Sequence, residues 1–154
     1  MKANEFIANV AEISIKYNYK VKAKDRVKAG DSNKLAEAFF SVFDKDNIEV
    51  QETAYCAILD RNLAIIGIIK IGEGNGGATI MNIDKAYQAA ILCNGYCIAL
   101  CHNHPSGNLK PSRDDERITN QFKQASLCLG KRLIDHIIIS PDGDFFSFSD
   151  EGLM

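Results

Sequence analysis

YCIALCHNHPSGNLKPSRDDE, residues 96–116, is the stretch whose reading decides the fold. Tyr96–Cys101 is a continuous apolar run, most simply a buried strand. It leads straight into His102 and His104, two of the three histidines in the chain, and Pro105-Ser106-Gly107 then turns it. Alternate side chains of an extended backbone point the same way, so the two imidazoles share one face. Ser112 reads as the cap of a helix that continues to Leu129 and stops at Gly130, with Asp115 in its first turn.

Working outward, the same mixture of strands and helices recurs. Asp31 or Ser32 can cap a helix whose apolar positions Leu35, Ala36, Phe39, Phe40 and Phe43 follow helical spacing, ending near Asp44–Asn47. Ala54–Asp60 and Leu63–Ile71 are β-rich runs joined by Arg61-Asn62 and read as a hairpin. Gly72–Gly77 reads as a flexible loop and not as a phosphate cradle, because no Lys-Ser/Thr and no strand-to-helix junction follow it. Thr79–Met81 fits a brief strand, and Asp84 is expected to cap a helix reaching Cys93 with Ala86, Ala89, Ala90 and Ile91 inward. Leu133–Ser140 is a second buried strand, and after the Pro141–Asp144 turn Phe145–Phe148 pairs back on it. Residues 5–17 leave a short helix or a first strand near Glu12–Tyr17 both open. The sum is an α/β fold, a central and partly antiparallel sheet with helices packed on both faces.

Composition limits the function classes. The chain has 154 residues, 46% apolar and 25% charged, which are globular values for one core. Its apolar runs are too short to cross a bilayer, and MKANEFIANV does not read as a signal peptide, so a soluble cytoplasmic protein is expected. Five cysteines without a CxxC pair read as reduced core thiols, since Cys93, Cys97 and Cys101 straddle a helix-to-strand change that spoils a common metal-binding face. The formal net charge of −2 makes no global trap for nucleic acid. Residues 16–34 carry seven Lys or Arg against two Asp, a solvated segment or, in the alternative, a phosphate-binding strip of a nucleic-acid-associated protein with a structural zinc.

Two neutral imidazoles on one face make a two-point grip on a borderline metal such as zinc, and a catalytic site needs a third ligand with the fourth corner left to water. Asp115 can supply it. Asp114 competes, because one residue changes the helix face by ~100°. Ser112-x-x-Asp115 also fits a capping box, in which both side chains only satisfy helix N–H groups. Ser106 lacks a base–orienter pair of its own and is not read as a nucleophile.

His102-Asn103-His104-Pro105-Ser106-Gly107 followed by Pro111-Ser112-x-x-Asp115 resembles the JAB/JAMM (MPN) metalloprotease motif. With Leu133-Ile134-Asp135-His136-Ile137-Ile138 and the ending Phe146-Ser147-Phe148-Ser149-Asp150-Glu151-Gly152, the resemblance narrows to the RadC family over roughly residues 48–153. It implies a JAMM-like central mixed, largely antiparallel sheet over 48–154, preceded by an N-terminal segment 1–47 with one helix packing on the core. It also implies a single zinc held by His102, His104 and Asp115, and hydrolysis of a peptide or isopeptide bond in an unidentified peptide or protein, with a family association with DNA repair. Ser112 would steady the oxyanion, and Glu52 would move the proton. The Glu52 assignment comes from the resemblance, since spacing does not choose it over Glu49 or Glu73. Lys85 stands where the family carries an arginine near the helix before the histidine strand. His136 is read as bonding backbone or supporting the site from behind, not as a metal ligand.

Overall fold

The computed structural model describes residues 20–74 and 81–154. Helix α1 (Ser32–Phe40) is followed by strands β1 (Glu52–Leu59) and β2 (Ile65–Gly74), helix α2 (Ile83–Leu92) and strand β3 (Cys97–Asn103). Helix α3 (Arg113–Cys128) and strands β4 (Arg132–Ile139) and β5 (Phe145–Ser147) complete the chain. The five strands form one sheet in the order β2-β1-β3-β4-β5. Among the described strands only the β3–β4 pair is parallel, and α3 makes its crossover.

Side-chain alternation sorts the core into two layers. Cys97, Ala99 and Cys101 of β3 face α1, where they pack with Leu35, Ala36 and Phe39. Ile98 and Leu100 face the other way, onto Ala86 and Ala90 of α2 and Phe122 of α3. Phe39 and Phe122 are fully buried on opposite faces of the sheet, each contributing about 1.5–3 kcal/mol of apolar burial. The sheet is thus covered by helices on both faces, and β3, at its centre, is buried along its whole length.

Several local readings need adjusting. Asn82, not Asp84, caps α2, its side chain accepting the Lys85 N–H. The helix therefore starts earlier, Ala86, Tyr87 and Ala90 turn inward, and Ile91 is exposed. Strand β2 runs on through Gly72–Gly74 because Glu52 and Thr53 supply a pairing edge, so that part of the glycine stretch is sheet and not loop. Helix α1 stops at Phe40, short of the Asp44–Asn47 turn. The readings at 5–17, 75–77 and 79–80 lie outside the described residues. Cys56, Cys97 and Cys101 are buried free thiols, whereas Cys128 is exposed. No described helix is long and apolar enough to cross a membrane.

One irregularity in the sheet decides which face His136 occupies. In the β3–β4 ladder Ile98 faces Leu133, but Ala99 faces Asp135, so Ile134 is an extra residue on β4. A one-residue slip reverses which face each later side chain occupies. His136 is thereby set opposite Leu100 on the α3 face, and Asp135 is sent to the α1 face.

Candidate metal centre

His102 continues the Ile98–Leu100 face of β3 near the strand's C-terminal end, between Ala54 of β1 and Ile138 of β4, and is fully buried. Pro105 and Gly107 occupy positions of a tight turn closed by the Gly107 N–H on the His104 carbonyl at 2.9 Å, with Gly107 at φ +75°. The turn carries Asn108 back to His104, whose Nδ1 lies 2.5 Å from the Asn108 carbonyl. A carbonyl only accepts, so Nδ1 bears the proton and the His104 ring presents Nε2 to the interior. That Nε2 is 3.0 Å from the Nε2 of His102.

Asp115 reaches the same point from α3. Its Oδ1 is 3.1 Å from His102 Nε2 and its Oδ2 is 3.6 Å from His104 Nε2. Asp114 points outward to Arg117, its side chain 65% exposed. The capping box is present as well: Ser112 donates its N–H and its hydroxyl to Asp115 Oδ2, each at 2.7 Å, and accepts the Asp115 N–H at 3.1 Å. Cap and site are one arrangement, because Oδ2 serves the helix and lies beside His104 while Oδ1 faces His102.

Glu52 joins from β1. It shares the face of Ala54, which lies beside His102 in the β1–β3 ladder, and its Oε1 is 3.9 Å from His102 Nε2. One ligand atom each from Glu52, His102, His104 and Asp115 lies within 4.8 Å of the others. Asn103, pointing to the opposite face, donates to the carbonyls of Ile48 and Gln51 at 2.7 and 3.0 Å and accepts the Thr53 N–H at 2.7 Å. It ties down both sides of Glu52, a role that residue type alone did not reveal.

The electrostatics follow from this crowding. The Asp115 carboxylate, which favours a protonated imidazole beside it, raises the His104 pKa above that of an ordinary histidine, outweighing burial, which lowers it. Burial pushes the Asp115 carboxyl up, but His102, His104 and Ser112 together hold it well below the usual carboxylate range. Two imidazole nitrogens 3.0 Å apart beside a carboxylate need a cation between them, either a proton or a metal. Nitrogen and carboxylate donors on three elements suit a borderline divalent ion such as zinc, so the residues present fit the group that the motif implies.

His136 is placed behind the site and not in it. Its Nε2 is 2.9 Å from His102 Nδ1 and its Nδ1 is 2.6 Å from the Thr119 hydroxyl. Burial, then the nearby His102, holds its pKa well below the ordinary histidine value.

A mixed sheet with a His-x-His leaving its central strand and an aspartate arriving from the next helix defines a JAB/MPN-type domain. A family model described as a RadC-like JAB domain matches residues 30–153, and the chain belongs to that family. A UPF0758 protein of Porphyromonas gingivalis is 36% identical over 104 residues, covering 68% of this chain and 46% of that protein. One from Clostridium acetobutylicum is 38% identical over 104 residues, 68% of this chain and 45% of the relative. Another, from Clostridium beijerinckii, is 29% identical over 153 residues, 99% of this chain and 65% of the relative. The chain thus spans roughly half to two thirds of the length of these curated relatives.

Proposed function

We propose that the protein is a zinc-dependent hydrolase of peptide or isopeptide bonds, with His102, His104 and Asp115 as the metal ligands. The observation that carries this reading is the convergence of two imidazole nitrogens and a depressed carboxylate on one point. When bound, zinc supplies a Lewis acid that brings the pKa of a water from ~15.7 towards ~7. Glu52, at the rim of the cluster and held by Asn103, takes the proton and delivers it to the leaving amine. The Ser112 hydroxyl steadies the oxyanion by swinging from Asp115 Oδ2, which the Ser112 N–H continues to hold at 2.7 Å. The buried free thiols support a reducing, cytoplasmic setting. Substrate and any link to DNA repair belong to the same proposal and rest on the family resemblance.

Elemental analysis and a quenched-peptide library test it together. Wild type should carry about one zinc per chain, His104→Ala none, and Glu52→Gln the full complement with hydrolysis lowered by about 10²–10⁴-fold. A zinc-free wild type, or a Glu52→Gln protein that still cleaves at the normal rate, refutes the assignment.

A further inference from the structure

The polarity of the buried hydrogen bonds behind the site can be followed atom by atom. The Asp115 carbonyl can only accept, so the Thr119 hydroxyl donates to it at 2.6 Å. Thr119 Oγ1 must then accept at its 2.6 Å contact with His136, whose Nδ1 carries the proton. A neutral His136 keeps a lone pair on Nε2, and this accepts from His102 Nδ1 at 2.9 Å. His102 consequently has its proton on Nδ1 and a bare Nε2 towards Asp115 and His104.

We propose that Thr119 and His136 are positioning residues that set the tautomer of His102, so that its Nε2 lone pair is presented to the site before any ion arrives. The chain of bonds starts on the carbonyl of Asp115 and ends on the ring beside its carboxylate, so two of the converging groups are locked to each other. His136 is held for this task from two further directions. The Phe148 ring stacks on it with centroids 4.8 Å apart and planes 12° apart, and the Phe148 N–H bonds the His136 carbonyl at 3.0 Å. The extra residue on β4 puts His136 on the correct face. All three side chains, His102, Thr119 and His136, are sealed from solvent, so no water can substitute for a missing partner. A ligand histidine whose other nitrogen is bound in this way is typically favoured by about 10–100-fold in metal affinity.

Only the consequence for metal depends on His102 being a ligand, and two readouts separate the tautomer from the metal. Imidazole ¹⁵N shifts of the metal-free protein, at a pH where His102 is neutral, report which nitrogen is protonated. Wild type and Thr119→Ser should show His102 as the Nδ1–H form, while Thr119→Val, which keeps the shape and removes the hydroxyl, lets the Nε2–H form appear. Chelator competition should then find zinc bound about 10–100-fold more weakly by Thr119→Val and by His136→Phe, with Thr119→Ser restoring wild-type affinity. The Nε2–H form in wild type, or a Thr119→Val protein matching wild type in both readouts, overturns the proposal. A wild type that binds no zinc removes the metal reading, and the nitrogen shifts still decide the tautomer.

Discussion

Asp115 answers to two sets of partners, and its behaviour with pH reflects both. Among metal-free molecules the His104–Asp115 pair carries the proton that stands in for a cation. His104 titrates above its ordinary value of about 6.5, so this pairing stabilises the fold fully below that pH and is lost as pH rises through the raised value. Asp115 titrates below its ordinary value of about 3.9, so its share is present above that pH and disappears only as strong acid protonates it. The metal-free melting temperature should therefore fall as pH rises above about 6.5, through the raised His104 value, and His104→Ala should flatten that slope. Zinc at the proposed site would compete with the same proton, so its affinity should weaken about tenfold per pH unit below the His104 pKa. Thermal melts and isothermal titrations across that range check the two statements in turn. The convergence of His102, His104 and Asp115 was legible in residues 102–115 because strand parity and the first turn of a helix are local properties. Asp115 caps the helix and also faces the imidazoles, since a carboxylate has two oxygens. Thr119 and Asn103 were not legible, because their partners are 17 or about 50 positions away.

The elements show where local reading ends. Hairpin, histidine strand and capped α3 all lie within a few residues of where alternation and capping put them. The start of α2 was missed because Asn82 and Asp84 are both good caps, and only the bond to the Lys85 N–H distinguishes them. The extra residue on β4 has no signature in LIDHIII, as a bulge is defined by the strand it pairs with. The α2–β3 junction offers a test of how tightly these elements meet. A Cβ on Gly95 would lie 2.2 Å from Ile58 Cγ2, inside the layer beneath α2. Ile58 is 4% exposed and has little room to move. Gly95→Ala should destabilise the protein by about 1–3 kcal/mol through overpacking, and urea unfolding measures it. A change within experimental error would mean that Ile58 can repack freely.

Across the whole molecule, the two ends of the described chain close on the back of the site. Asp135, turned to the α1 face, accepts the N–H groups of His136 and Ser149 at 2.7 and 3.0 Å and the Ser147 hydroxyl at 2.7 Å. Asp150 in turn accepts from Ser32 at the start of α1, at 2.5 Å. The Phe-Ser-Phe-Ser ending, legible in the sequence as a strand pairing back after the Pro141–Asp144 turn, thus seats Phe148 on His136 and joins helix α1 to the last strand pair. Burial pushes the Asp135 carboxyl up, while Ser147, Ser149 and His136 oppose that shift by bonding its charged form. Removing the carboxylate strands three donors in a site where Asp135 is only 3% exposed. Asp135→Ala should cost about 3 kcal/mol, which for a chain of this size lowers the melting temperature by roughly 6–12 °C. Because Phe148 is released with it, zinc affinity should drop in the folded variant too, although Asp135 touches none of the ligands. Calorimetry on metal-free protein and chelator competition below the new transition separate the two losses. A destabilised variant with undiminished zinc affinity would show that the C-terminal turn holds the fold but does not hold His136.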